Sequence, residues 1–179
     1  MKAIRSSMDE VKILTSGSYY MTPFNRYHIL EMLPRLHSET EKELLNLGYS
    51  SSLEALLDLE KDSEVYTVRN KSWEIMMVSG VFYSEEPPQL FALFTEHIAK
   101  NFKGLAKGSK LLVSYLDQFH DELSMQINVE YVSMLNWAVW LGFHPTGFTQ
   151  EKNIQYVDFV RCNPSQNCVS DKLSRPVIH

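Results

Sequence analysis

The stretch KNFKGLAKGSKLL, Lys100 to Leu112, runs glycine and small residues straight into an apolar pattern with helical spacing. Successive backbone N–H groups at a helix N-terminus bind phosphate, and glycine lets phosphate oxygens approach the backbone closely. Lys103, Gly104, Ala106, Gly108 and Ser109 are therefore candidate cofactor-binding residues, with Ser109 equally suited to cap a helix. Lys100, Lys103, Lys107 and Lys110 are the only basic concentration in a chain of net charge -5. That balance does not point to a duplex-binding surface.

Other residues offer less. No catalytic residue is expected: Glu96 and His97, a carboxylate beside an imidazole at the end of the apolar run QLFALFTEHI, are the candidates for which a general base could be argued, against the ordinary reading of exposed strand-end polar residues. The histidines at 28, 37, 97, 120, 144 and 179 include no pair at metal-binding spacing on a helix face, so no metal site is expected. Cys162 and Cys168 lack a basic or glycine-rich setting, and with no second pair they form neither a four-ligand zinc site nor a disulfide framework. A reducing compartment follows. Trp137 and Trp140, three positions apart, share a helical face suited to packing.

The elements that must position these residues can be read from pattern. At 179 residues and 44% hydrophobic, the chain reads as one globular domain, and MKAIRSSMDEVKIL holds no apolar run long enough for a signal peptide or membrane span. KAIRSSMDEVKIL suits a strand and SGSYYMTPFN a turn. Ile29, Met32, Leu33 and Leu36 space as a helix limited by Pro34. Ser38 with Glu41, and Ser51 with Glu54, read as capping boxes for two helical runs, the first stopped by Gly48.

EVYTVRN and WEIMMVSGVFYS then read as a hairpin turning at Asn70 and Lys71, with QLFALFTEHI as a third strand. Leu111, Leu112, Tyr115, Leu116, Phe119 and Leu123 predict one amphipathic helix. MQINVEYV predicts a strand, SMLNWAVWLG a helix closed by Gly142, and FHPTGFT with IQYVDFVRC a hairpin about QEKN. The expected class is α/β, a single domain over residues 1–163 with a mixed central sheet and helices on both faces; 164–179 form a polar C-terminal arm.

This element order resembles the GCN5-related N-acetyltransferase (GNAT) family. KGLAKGSKLL is similar to the family's cofactor loop: Lys103 stands at the arginine position, Gly104, Gly108, Ser109, Leu111 and Leu112 match, and Ala106 replaces the first motif glycine. WLGF, Trp140 to Phe143, is similar to the family's Tyr-x-x-x-Gly-Phe ending. Counted back from Gly142, the proton-donating tyrosine falls at Ala138, which has no hydroxyl. Tyr131 falls where many members carry asparagine.

A narrower group departs in the same way: the degenerate acetyltransferase-like internal virion proteins of short-tailed, autographivirus-type phages, the internal virion protein A group. WAVWLGF, Trp137 to Phe143, is similar to their tryptophan-rich helix. The resemblance implies a non-enzymatic virion or assembly protein without a cofactor, located in the virion and, during assembly, in the host cytoplasm. Its partners would be other virion proteins and copies of itself, with no membrane and no nucleic acid. The alternatives it leaves open are an N-acetyltransferase using acetyl-CoA and a coenzyme A or host-factor binding module.

Overall fold

A computed structural model describes residues 12–59, 61, 63–98 and 102–165, with the side chains of 16 and 102–105 left aside. Of the strand expected over residues 2–14, residues 2–11 lie outside that range, as do residues 166–179 of the expected arm. The first described elements are β1 (Leu14–Ser16) and β2 (Tyr19–Pro23), an antiparallel hairpin with Leu14 opposite Met21. The segment read as a turn is thus mostly strand. Gly17 and Ser18 make the bend, and the rest is held by pairing with a distant strand, which no local signal reports.

Helix α1 (Arg26–Met32) begins at Asn25, whose side chain accepts from the Tyr27 N–H. Pro34 lacks an N–H and so ends the α-helical ladder there, leaving a 3-10 turn at Leu33–Arg35. The next helix, α2 (Ser38–Asn46), is capped by His37 rather than Ser38: the imidazole Nδ1 accepts from the Glu39 N–H at 3.3 Å. Gly48, at φ 102, follows its end as expected. In α3 (Ser52–Asp58) Ser51 is the N-cap, as expected, but Glu54 reaches Ser50 instead of closing a box on Ser51.

Three strands follow: β3 (Ser63–Asn70), β4 (Ile75–Phe82) and β5 (Gln89–Phe94). Every residue of β4 from Ile75 to Val81 is buried, as a central strand covered on both faces requires. Helix α4 spans Phe102–Leu116. It starts seven residues before Ser109, which therefore caps nothing, and ends before Phe119 and Leu123. Leu123 already belongs to β6 (Glu122–Asn128). Phe119, 63% exposed, lies in the turn after Leu116, and Leu123 is buried from a strand, so the apolar period there is not helical. The last elements, α5 (Val132–Trp140), β7 (His144–Glu151) and β8 (Ile154–Cys162), agree with the expectation. Lys152 and Asn153, at φ 46 and 70, make the two-residue hairpin loop.

The eight strands form one sheet in the order β1-β2-β3-β4-β5-β6-β8-β7. It is mixed: β1/β2, β2/β3, β6/β8 and β7/β8 are antiparallel, whereas β5 and β6 run parallel and meet at Gln89 and Ser124. By contacts the chain groups into two units, residues 1–81 with 91–112, and residues 82–90 with 113–179. The core of the first holds Met21, Ile29, Met32, Leu56, Val68 and Ile75–Val78. That of the second holds Leu116, Leu123, Met125, Trp137, Phe143 and Phe159.

Candidate functional site

The candidate cofactor residues lie along α4, so helix geometry decides which of their backbone groups are available. Only the first turn of an α-helix has N–H groups without an intrahelical acceptor. Lys103 and Gly104 fall in that turn; Ala106, Gly108 and Ser109 come after it, where amides bond back to carbonyls four residues earlier. Gly108 has a packing reason of its own. A Cβ there would stand 2.9 Å from Val68 Cγ1, so the missing side chain lets α4 press onto β3. Ser109 is buried on the same helix. Of the family-like loop, Lys103 and Gly104 are the residues that lie where backbone N–H groups lack an intrahelical acceptor.

Glu96 and His97 sit in the 3-10 turn Glu96–Ile98 that follows β5. Glu96 is exposed, and His97 is held on both ring nitrogens' sides. Arg35 Nη1 lies 2.8 Å from His97 Nε2, and Glu74 Oε2 lies 3.8 Å from Nδ1. Asn70 Nδ2 donates to the same Glu74 oxygen at 2.8 Å. Sequence reading missed Thr95, which is buried beside this pair and donates from Oγ1 to the Ile75 carbonyl at 2.6 Å. A threonine inside an apolar run is an ordinary strand residue, and only the fold shows what it meets.

Ala138, where the resemblance led to the proton-donating tyrosine being looked for, is 0% exposed within α5, and the Phe143 N–H donates to its carbonyl at 3.0 Å. Tyr131 is the N-cap residue of the same helix. Trp137 and Trp140 do not share an environment: the first is 7% exposed and the second 48%. Cys162, half-buried at the end of β8, has its Sγ 3.7 Å from Glu122 Oε1, while Cys168 lies outside the described residues. His28 is a satisfied core histidine, with Nδ1 2.7 Å from Thr67 Oγ1. No cluster of three or more metal-ligating side chains exists among the described residues, and no helix among them is long and apolar enough to cross a membrane.

In the second unit a recess of about 290 Å³ is lined by Glu85, Glu86, Gln89, Gln126, Glu151 and Asp158 among others. Its inner carboxylate is already satisfied within the chain. Gln126 Nε2 donates to Asp158 Oδ1 at 2.9 Å, and Thr149 Oγ1 to Oδ2 at 2.7 Å. The other carboxylates lining the recess are Glu85, Glu86 and Glu151.

No family model matches the chain, and no curated protein does. Solved structures do match in fold. A GNAT-family acetyltransferase from Bacillus anthracis superposes with a TM-score of 0.68 at 7% identity, over 84% of this chain and 98% of that one. The ribosomal-protein-S18-alanine N-acetyltransferase of Escherichia coli gives 0.61 at 9% identity, over 81% and 94%. The ribosomal-protein-S5-alanine acetyltransferase of Vibrio fischeri gives 0.56 at 12%, over 89% and 100%. The fold is that of the GNAT acetyltransferases, an α/β domain with a mixed eight-stranded sheet. At these identities the likeness speaks for the scaffold and leaves activity to the site residues.

Proposed function

We propose that this chain uses the acetyltransferase scaffold without its chemistry, as a virion or assembly component of a short-tailed phage. The observation that carries the reading is Ala138. The position that the family resemblance gives to the proton donor carries a fully buried methyl group, which has no hydroxyl to donate. Two of the three later loop positions, Gly108 and Ser109, are buried, and Gly108 is packed against Val68. Meanwhile α5 presents Val132 and Val139 at 62% and 56% exposure in a helix without a charged residue, surface of the kind that packs against protein. The proposed partners are other virion proteins and further copies of the chain, in the particle and, before that, in the host cytoplasm.

Mass spectrometry of purified particles tests this, together with calorimetry against acetyl-CoA. The expected outcome is a fixed copy number per particle and no acetyl transfer to amine acceptors. Saturable acetyl-CoA binding with turnover, and absence from particles, would replace the proposal with an N-acetyltransferase. In that reading the first turn of α4, with Lys103 and Gly104, would hold the coenzyme A phosphates, and the cofactor would supply the activated acetyl group.

A further inference from the structure

The strongest unassigned arrangement is the trio around His97. An arginine guanidinium has donors and no acceptor, so the 2.8 Å contact from Arg35 Nη1 requires His97 Nε2 to accept. The neutral ring must then carry its proton on Nδ1, the nitrogen that faces Glu74 Oε2 at 3.8 Å. Asn70, at the end of β3, donates to that carboxylate, which lies in the β3–β4 connection.

We propose that Arg35, His97 and Glu74 form a proton-sensitive clasp, closed while the imidazole is neutral and opened when it takes a second proton. The added proton turns Nε2 from an acceptor into a donor that faces a guanidinium. The opposing attraction comes from Glu74, which is 1.0 Å farther from the ring than Arg35 is (3.8 against 2.8 Å). Arg35 is exposed, so once Nε2 no longer accepts, its guanidinium leaves the ring for water while Glu74 stays beside Nδ1. Among the described residues, the other titratable groups on the segments joined here are Glu96, exposed on the same turn, and His37, whose Nδ1 is occupied by the Glu39 N–H.

What the clasp joins gives it a consequence. Arg35 ends the 3-10 turn after α1, and His97 lies in the turn that leads from β5 towards α4. The two segments also meet through a bridge between Leu36 and Thr95 and the bond from the His37 N–H to the Phe94 carbonyl, 2.9 Å. Opening the clasp leaves these backbone contacts to hold the turn by themselves.

Long-range proton–nitrogen spectra of the full-length chain decide the first step. At pH 8 His97 should be the Nδ1–H tautomer, and Arg35→Met should shift it towards Nε2–H. Amide exchange, corrected for intrinsic rate, decides the second. Protection at His37 and Ile98 should fall at least threefold between pH 8 and pH 5, and His97→Gln, which keeps an acceptor but does not titrate, should abolish that difference. An Nε2–H tautomer in the wild type, or equal loss of protection in wild type and His97→Gln, overturns the clasp. The wild-type tautomer is decisive by itself even where a variant fails to fold.

Discussion

Gly142 and Arg161 fit together because one has no side chain. Gly142 closes α5 at φ 90, and a Cβ on it would run into Arg161 Nη1. Arg161 uses that space to donate from Nη1 to the Leu141 carbonyl at 2.8 Å, while Nη2 reaches Asp117 Oδ2 at 2.6 Å just beyond α4. The Gly-Phe ending therefore ties the end of α5, the end of α4 and β8 to one guanidinium.

Gly142→Ala should lower stability by about 2 kcal/mol, from left-handed backbone strain plus the displaced arginine. Urea denaturation at unchanged m-value measures it; a change within 0.5 kcal/mol (the usual scatter of surface substitutions) would remove the glycine from this role.

Asp117→Ala should cost about 3 kcal/mol, because it leaves Arg161 as an uncompensated cation whose side chain is only 12% exposed. Replacing both Asp117 and Arg161 by apolar residues should recover a substantial part of the loss. Equal damage in the single and double variants would mean the pair is not coupled.

Gly108→Ala sets a close contact with Val68 against a gain in helix propensity. Overpacking costs about 1–3 kcal/mol and the propensity returns about 1 kcal/mol, so the expected net loss is small. A double-mutant cycle with Val68→Ala, which makes room, should show coupling of about 0.5 kcal/mol or more. Additive effects would mean that α4 and β3 relax apart freely.

Ala138→Tyr would place a phenol at a fully buried position that now holds a methyl group. The expected result is a loss of about 3 kcal/mol or more in thermal or chemical unfolding, without acquired acetyl transfer. A stable variant that transfers acetyl groups would show that the site needed only the phenol.

Glu54 should titrate below the ordinary glutamate range, because the Ser50 hydroxyl and then the Ser50 N–H donate to its carboxylate. A carboxylate whose folded value is depressed contributes stability above the unfolded value, near pH 4.5, and loses it as pH falls through the folded one. Carbon-detected titration should show the low midpoint, and Ser50→Ala should raise it. Tyr49 moves the other way, raised by burial and by the nearby charges of Asp58 and Glu54.

Most of the fold was legible in the sequence. Strands β3, β4, β7 and β8 carry strong local β signals, and Pro34, Gly48, Ser51 and Gly142 punctuate helices through backbone limits that act wherever those residues stand. The failures share a cause. β2 exists because β3 pairs with it, His37 caps α2 because the chain enters from the 3-10 turn, and Leu123, read into the α4 pattern, is buried from a strand instead.

The candidate site divides in the same way. That position 138 carries alanine, with no hydroxyl, is a fact of residue type, readable from sequence alone. That Gly108 serves packing on Val68, that Ser109 is buried in mid-helix, and that Arg35 and Glu74 flank His97 are decided by tertiary structure. Those partners lie 40, 62 and 23 positions away along the chain (108 against 68, 97 against 35, 97 against 74). Local sequence determines what a residue can donate, accept or bend; only folding brings together the groups that use it.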